Sequence, residues 1–129
     1  MSVLGIGIDV VEVERIASSM AEFGERFATR IFTAAERAYC DAQQRPELHY
    51  AARFAAKEAV AKAFGTGIGK ELGWLDMEIV RRESGEPALV LSGAGKAYAV
   101  ARGIAEVKIS LTHARHYAAA NAVALGGGA

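Results

Sequence analysis

Charged side chains recur at intervals of four in the alanine-rich segment RFAAKEAVAKAF, residues 53–64. Helical periodicity places Glu58 beside Lys62 on one face and Arg53 beside Lys57 on another. One interpretation is a solvated surface whose i,i+4 ion pair contributes roughly a few tenths of a kcal/mol. The other is a site for phosphates and a metal ion, since the intervening alanines leave room for a ligand near the helix axis.

Another charged residue, Asp9, interrupts the apolar segment VLGIGIDVV at residues 3–11, which has the composition of a β-strand. Alternation puts Asp9 on the same face as Gly5 and Gly7, so that face is sterically open. A carboxylate in an apolar strand is costly to desolvate unless it is paired or bound to a metal. A salt bridge or an exposed sheet face would satisfy it, and so would Mg²⁺, which prefers carboxylate oxygens.

A histidine, His113, ends the alternating segment EVKISLTH at residues 106–113. On the apolar face of a strand, such a residue is commonly packed in the core or in an interface. Histidine also titrates near neutral pH, so His113 is suited to act as a general base or to donate a hydrogen bond to a phosphate. The spacing of His49 and His116 matches no metal-ligand pattern, and both are interpreted as surface residues.

The alanine-rich segment is followed by glycines, in GTGIG at residues 65–69. Backbone N–H groups of such loops can bind phosphate oxygens. The segment has no Walker pattern, however, and it follows the C-terminal end of a helix, whose dipole disfavours anions. It is therefore either a plain helix-terminating loop or a phosphate site assisted by neighbouring lysines.

These residues must be positioned by both strands and helices. Strands are expected at 3–11, 74–82, 88–92 and 106–113, and helices at 12–24, 34–43, 46–64 and 93–103. Thr33 and Glu36 form a capping-box pattern, Pro46 suits a first helical turn, and a helix end is expected at Gly65. Residues 117–125, YAAANAVAL, are compatible with a strand or a helix. The pattern predicts an α+β domain with a small antiparallel sheet packed against helices.

The chain has 129 residues and no net charge, with 15 basic and 15 acidic residues. This length predicts one domain, residues 1–125, followed by a flexible glycine-rich tail, residues 126–129. The balanced charge disfavours a nucleic-acid or membrane partner, so an anionic ligand needs a local basic cluster. A single cysteine, Cys40, excludes an intramolecular disulfide. No segment approaches the roughly 20 apolar residues that span a bilayer, and a cytoplasmic protein is expected.

Six segments resemble motifs of the holo-acyl carrier protein synthases, which are small phosphopantetheinyl transferases of fatty-acid synthesis. They are GIGIDVVEVERI (5–16), FTAAE (32–36), RFAAKEAVAKAFGTGIG (53–69), WLDMEI (74–79), GEPALVLSGAGKAYA (85–99) and VKISLTH (107–113). The resemblance implies transfer of 4′-phosphopantetheine from coenzyme A to a serine of apo acyl carrier protein, with release of 3′,5′-ADP. It also implies a homotrimer with active sites at the interfaces between subunits.

The resemblance assigns the catalytic roles residue by residue. Asp9 and Glu58 occupy the positions of the Mg²⁺ ligands, and Lys62 occupies the position beside the diphosphate of coenzyme A. The general base that accepts the serine proton is left open between Glu58, acting through water, and His113. A phosphoryl transfer of this kind depends on positioning and electrostatics more than on covalent catalysis.

Further positions match binding residues of that family. The residues expected to contact the nucleotide are Arg53, Lys57, Gly65, Thr66, Gly85, Pro87 and Thr112. Thr112 is a departure, because the family pattern Ser-x-Ser-His reads Ser-Leu-Thr-His here, and the hydroxyl is kept while the packing changes. Arg15 and Arg26 are candidates for binding the acidic carrier protein.

Two alternatives to this function are considered. The chain could be a non-catalytic scaffold that binds coenzyme A, or a transferase that serves carrier proteins of secondary metabolism. Asp9, Glu58 and Lys62 favour an enzyme, because a binding module does not require two metal-binding carboxylates together with a lysine. The choice of carrier protein depends on surface charge that does not form a recognisable motif.

Overall fold

The computed structural model describes residues 2–127, which form five strands, five helices and a short 3₁₀ helix. The strands are β1 (Val3–Glu12), β2 (Met77–Arg81), β3 (Pro87–Leu91), β4 (Ile104–His113) and β5 (Tyr117–Gly126). The helices are α1 (Val13–Phe23), α2 (Glu25–Ile31), α3 (Ala34–Asp41), α4 (Pro46–Phe64) and α5 (Gly93–Ala101). The expected α+β class is thereby confirmed. Within the described residues, none of these helices combines the length and the apolarity needed to cross a membrane.

The strands form two antiparallel sheets. The larger sheet has the order β1-β5-β4, and the smaller one pairs β2 with β3. Every second residue of the central strand β5 is buried; these residues include Ala118, Ala120, Ala122 and Ala124. The segment that was compatible with a strand or a helix is thus a strand, because a period of two brings these alanines onto one face.

The long helix α4 packs on the alanine face of this sheet and contacts all three of its strands. A Cβ atom at Gly5 would overlap the carbonyl oxygen of Ala63, and one at Gly7 would overlap that of Ala59. Glycine therefore allows the helix backbone to lie directly against β1. The expectation of an open strand face for a ligand is wrong at these two positions, because α4 fills it.

Local signals in the sequence predict the ends of α4 and the start of α3. Pro46 lies in the first turn of α4, and Gly65 ends it in the left-handed conformation, with φ of 76°. At the start of α3, the Thr33 hydroxyl accepts a hydrogen bond from the Glu36 N–H, and the Glu36 carboxylate accepts one from the Thr33 N–H. The predicted capping box is confirmed.

A buried ion pair joins α3 to α4. The Lys57 Nζ atom lies 2.7 Å from Glu36 Oε1 and also donates to the carbonyl oxygens of Ile31 and Trp74. The other carboxylate oxygen of Glu36 accepts from the Ile79 N–H at 2.7 Å. Because binding a ligand would leave Glu36 unpaired in the core, the placement of Lys57 contradicts its expected role as a nucleotide contact.

Some element boundaries differ from the predicted ones. The helix α2 was not expected, and it is separated from α1 only by Gly24, whose φ is 57°. The predicted strand at 74–82 begins instead at Met77, because its first residues form the 3₁₀ helix. The Asp76 carboxylate stabilises that turn by accepting hydrogen bonds from the N–H groups of Gly73 and Gly95.

The end of β5 overlaps the expected tail at residues 126–129. Gly126 is the last residue of the strand, and its N–H donates to the carbonyl oxygen of Ser2 at 2.7 Å. Residues 128 and 129 lie outside the described part of the chain.

Candidate functional site

Asp9 and Glu58 line one cleft between β1, α1 and α4. The cleft has a volume of about 290 Å³. Asp9 is near the end of β1, opposite Ala120 of β5, and Glu58 faces the cleft from α4. Arg15 of α1 lines the same cleft, together with apolar side chains that include Phe27. Packing α4 on the sheet thus brings together two carboxylates that are far apart in the sequence.

The ammonium group of Lys62 forms its ion pair with Asp9. Its Nζ atom lies 3.2 Å from Asp9 Oδ1 and 2.9 Å from the carbonyl oxygen of Ile8. The side chain of Lys62 is 53% exposed, whereas that of Asp9 is 17% exposed. Lys62 is therefore held at the strand carrying Asp9, and solvent or a ligand can still reach it.

The environment of Glu58 disfavours its ionised form. Partial burial raises the pKa of Glu58, and the negative charge of Asp9 raises it further, while Lys62 lowers it. Two carboxylates that repel one another in a partly desolvated cleft are stabilised when a cation lies between them. A raised pKa also makes Glu58 a better proton acceptor than an ordinary surface carboxylate.

The donor set of this cleft fits a hard divalent cation. Carboxylate oxygens are the protein ligands that Mg²⁺ prefers, and it commonly takes only one or two of them, with phosphate oxygens and water completing the shell. Asp9 and Glu58 supply that number. No cluster of three or more His, Cys, Asp or Glu side chains at metal-binding separation occurs within residues 2–127. A cation here would thus depend on its substrate for further ligands.

A second group of polar and aromatic side chains lies near the other end of α4, and we call it the arginine–histidine cluster. It consists of Tyr39, His49, Arg53, Arg81 and His113. The Cζ atom of Arg53 lies 4.3 Å from the Tyr39 ring centroid, and Arg81 donates to the Tyr39 hydroxyl at 2.7 Å. The ring centroids of His49 and His113 are 5.4 Å apart.

Sequence reasoning selected Arg53 and His113 but missed three members of this cluster. His49 was interpreted as a surface residue, although it precedes Arg53 by one helical turn and so shares its face. No sequence pattern indicated Tyr39 or Arg81. They join the cluster only because α3 and β2 pack beside α4.

The remaining residues expected at the nucleotide lie on loops, at the start of β3 and on β4. Thr66 donates its hydroxyl hydrogen to the Gly67 carbonyl at 2.8 Å, just after the helix end at Gly65. Gly85 is in the β2–β3 turn with φ of 93°, and Pro87 begins β3. Thr112 is exposed on β4. Thr66, Gly85, Pro87 and Thr112 are absent from the lining of the Asp9–Glu58 cleft within this chain.

The two arginines expected to contact a carrier protein lie on neighbouring surfaces. Arg15 lines the Asp9–Glu58 cleft, while Arg26 lines an adjacent depression of about 400 Å³ with Arg30 and Trp74. Phe27 contributes to the lining of both. The depression thus combines basic side chains with an apolar floor beside the candidate site.

A family model described as the 4′-phosphopantetheinyl transferase superfamily matches residues 5–122. The chain belongs to this superfamily. The match includes both carboxylates of the cleft, Lys62 and the whole arginine–histidine cluster.

Individual relatives agree with the family assignment. The chain is 48% identical over 120 residues to a holo-[acyl-carrier-protein] synthase of Chlamydia trachomatis, covering 93% of this chain and 98% of that one. Its fold matches the crystal structure of the Neisseria meningitidis synthase with a TM-score of 0.90 and 34% identity, covering 96% of this chain and 99% of the other. It also matches the Helicobacter pylori synthase in complex with coenzyme A, with a TM-score of 0.84 and 32% identity, covering 93% and 99%.

Proposed function

We propose that this protein is a holo-[acyl-carrier-protein] synthase. It transfers 4′-phosphopantetheine from coenzyme A to a serine hydroxyl of an apo acyl carrier protein and releases 3′,5′-ADP. The observation that carries the proposal is that Asp9 and Glu58 line one cleft and that Lys62 forms an ion pair with Asp9, in a chain of this superfamily. Relatives named holo-[acyl-carrier-protein] synthase cover nearly the whole chain, which supports the same reaction.

Asp9 and Glu58 are the residues that would hold Mg²⁺. When bound, the cation would neutralise charge on the diphosphate and on the phosphoryl group being transferred. The pKa of Glu58 is raised by burial and, to a lesser degree, by the negative charge of Asp9, and this unfavourable charge supports the assignment. Without a cation, the negative charge of the two carboxylates would oppose the approach of an anionic diphosphate to the cleft.

Lys62 is suited to stabilise negative charge on the leaving group. The serine oxygen forms a bond to the phosphorus that carries pantetheine, and the bond from this phosphorus to the bridging oxygen of 3′,5′-ADP breaks. The ammonium of Lys62 can donate to that oxygen as charge develops on it. Its contacts with Asp9 and the Ile8 carbonyl hold it beside Asp9 while more than half of the side chain remains exposed.

Glu58, acting through a water molecule, is our choice for the group that accepts the serine proton. It lies in the same cleft as Asp9, beside the position proposed for the cation. His113 is the second choice, because its nearest aromatic contact is with His49 in the arginine–histidine cluster. The reaction then depends on positioned charges more than on a covalent intermediate.

The nucleotide end of coenzyme A requires further basic groups. Arg53 is the strongest candidate, because only 5% of it is exposed and its buried Nε atom has no hydrogen-bond partner. A buried guanidinium N–H without an acceptor is costly, and a phosphate oxygen would satisfy it. Three further groups of residues are proposed to complete this region: the loop at Gly65 and Thr66, the turn at Gly85 and Pro87, and Thr112.

We also propose a homotrimer in which neighbouring chains complete each active site. The sheet face opposite α4 exposes a row of large apolar side chains from β1; they are Leu4, Ile6, Ile8 and Val10, each between 49% and 71% exposed. Such a row on a single chain indicates an association surface. Analytical ultracentrifugation tests this proposal, and a sedimenting species of one chain, 13.6 kDa, would contradict it.

The carrier protein is proposed to bind at the two surfaces that contain Arg15 and Arg26. Arg15 lines the cleft, and Arg26 lines the adjacent depression, where Phe23 adds an exposed apolar side chain. An acidic carrier protein would be attracted electrostatically and held by apolar contact. We place the reaction in fatty-acid synthesis in the cytoplasm; a transferase for carrier proteins of secondary metabolism is the other candidate of the same chemistry.

Intact mass spectrometry tests the reaction. Apo acyl carrier protein is incubated with this protein and coenzyme A, once with Mg²⁺ and once with EDTA. We expect one phosphopantetheine to be added only with Mg²⁺, and Asp9→Asn or Glu58→Gln to lower the rate by about 10²-fold or more. Glu71→Gln, an exposed carboxylate away from the cleft, is the matched control. Coenzyme A binding without transfer to any carrier protein would favour the non-catalytic scaffold.

A further inference from the structure

Tyr39 connects two arginines from different elements in the arginine–histidine cluster. Arg53 of α4 stacks over its ring, with Cζ 4.3 Å from the centroid. Arg81 of β2 donates to the Tyr39 hydroxyl at 2.7 Å, and its own Cζ lies 5.9 Å from the centroid. Like charges repel, so a single aromatic residue that contacts both guanidinium groups offsets part of the cost of keeping them together.

Two histidine rings lie beside these arginines. The His49 ring packs edge-on against both Tyr39, at 5.9 Å, and His113 of β4, at 5.4 Å between centroids. His49 lies on α4 one turn before Arg53. Four elements, α3, α4, β2 and β4, thus direct basic or aromatic side chains to one place.

The cluster contains no compensating acid of its own. Within residues 2–127, no ion pair within 4.0 Å involves Arg53 or Arg81. The carboxylate that acts on His49 is Glu47, and that group is already paired with Arg45 at 3.1 Å. The Nε atom of Arg53 is buried without an acceptor. An excess of cations with an unsatisfied buried donor indicates a missing anion.

We propose that Tyr39, His49 and Arg81 belong to a phosphate-binding site built on Arg53 and His113, in which Tyr39 positions the two guanidinium groups and His49 takes up a proton when the phosphate binds. The inference rests on the proposed function, since the phosphate is one of those of coenzyme A. Tyr39 holds the guanidinium groups in position, Arg81 supplies one of them, and His49 gains a positive charge when the phosphate binds.

The charges around His49 explain why its protonation depends on the ligand. Burial lowers the pKa of His49, and His113, Arg53 and Arg81 lower it further, while Glu47 opposes them. These influences favour the neutral form of His49 in the free site. A phosphate dianion among the same cations reverses the local potential and favours imidazolium, so binding transfers one proton from solvent to His49. Affinity should rise as pH falls from about 7.5 toward about 6, where the phosphate itself begins to protonate.

Titration of the imidazole C–H resonances by NMR measures this proton directly. The complete protein, in its natural oligomeric state, is titrated between about pH 5 and 8 without ligand, with coenzyme A and with dephospho-coenzyme A. We expect the pKa of His49 to rise by about one unit or more with coenzyme A. If the pKa of His49 shifts with coenzyme A but not with dephospho-coenzyme A, the 3′-phosphate is the ligand. If it shifts with both compounds, the diphosphate is the ligand. An unchanged His49 at saturating coenzyme A overturns the proposal.

The positioning role of Tyr39 is tested by Tyr39→Phe, which removes the hydroxyl and keeps the ring. Losing one hydrogen bond to Arg81 should raise the KM for coenzyme A roughly 3- to 10-fold while kcat stays within about 2-fold. Tyr98→Phe is a matched control, because Tyr98 makes a similar contact with Arg102, at 2.6 Å, away from the cluster. Equal effects of the two variants, or a fall in kcat alone, would contradict positioning by Tyr39.

The two proposals fail in distinguishable ways. If phosphopantetheine is transferred while Tyr39→Phe and the His49 titration show no effect, the phosphate site lies elsewhere and the proposed function stands. If coenzyme A shifts the His49 pKa but no carrier protein is modified, the site is a coenzyme A site and the proposed transferase activity is wrong.

Discussion

The helix α4 carries two lysines that each pair with a carboxylate, and the two pairs differ in almost every other respect. Lys57 and Glu36 have side chains at 0% exposure. Four backbone groups satisfy their charges: the carbonyl oxygens of Ile31 and Trp74 and the N–H groups of Thr33 and Ile79. Lys62 is half exposed and contacts Asp9 at a longer 3.2 Å. Burial therefore distinguishes the two pairs. The Lys57–Glu36 pair is enclosed in the core, whereas the ammonium group of Lys62 remains accessible to solvent or a ligand.

We expect the largest effect on the free energy of unfolding when the buried pair is broken. Lys57→Met should lower the free energy of unfolding by about 3–5 kcal/mol, because Glu36 is left as an unpaired charge in the core. Urea unfolding measures this loss. The double variant Glu36→Gln/Lys57→Met should recover part of it, since the unpaired charge is removed. A loss below about 1 kcal/mol for Lys57→Met would show that the pair is not a structural element.

The exposed pair should affect catalysis and not stability. Lys62→Met is expected to lower kcat by about 10²-fold, the usual effect of removing one donor to a developing negative charge. The free energy of unfolding should change by less than about 1 kcal/mol, as for other exposed ion pairs. Steady-state kinetics and urea unfolding on the same preparation check both. An unchanged kcat with a raised KM for coenzyme A would make Lys62 an anchor for the substrate.

The smallest expected effect is the coupling energy between Asp9 and Lys62. A double-mutant cycle of Asp9→Asn and Lys62→Met should give a coupling energy for unfolding of only about 0.2–1 kcal/mol. The corresponding cycle at Glu36 and Lys57 should give a clearly larger value, because both charges are desolvated there. Equal coupling energies in the two cycles would refute the distinction between a structural pair and a functional one.

The residues of the candidate site were largely predictable from the sequence, whereas their partners were not. Asp9 in an apolar strand and Glu58 on the long helix were both selected, and the structure lines one cleft with them. The sequence suggested that Lys62 pairs with Glu58 or faces a ligand. In the structure its ion pair is with Asp9. Spacing identifies neighbours within one helix, but it contains no information on the strand that packs beside it.

Local signals alone determined much of the framework. A proline and a left-handed glycine mark the ends of α4, a threonine and a glutamate form the capping box of α3, and alternation predicts β1 and β4. Each of these depends on interactions among residues close in sequence, such as hydrogen bonds at a helix end or the period of a strand. The end of α1 beside Gly24 was predicted, whereas the helix α2, which begins directly after this glycine, was not.

Only the tertiary structure decided which charged residues are buried and which are accessible. Lys57 and Lys62 are both helical lysines in similar alanine-rich surroundings, and packing against α3 withdraws one from solvent while the other stays beside the cleft. Gly5 and Gly7 likewise accommodate α4 and not a ligand. The arginine–histidine cluster forms only where four elements meet. Desolvation and long-range contact set these outcomes, and both depend on the complete fold.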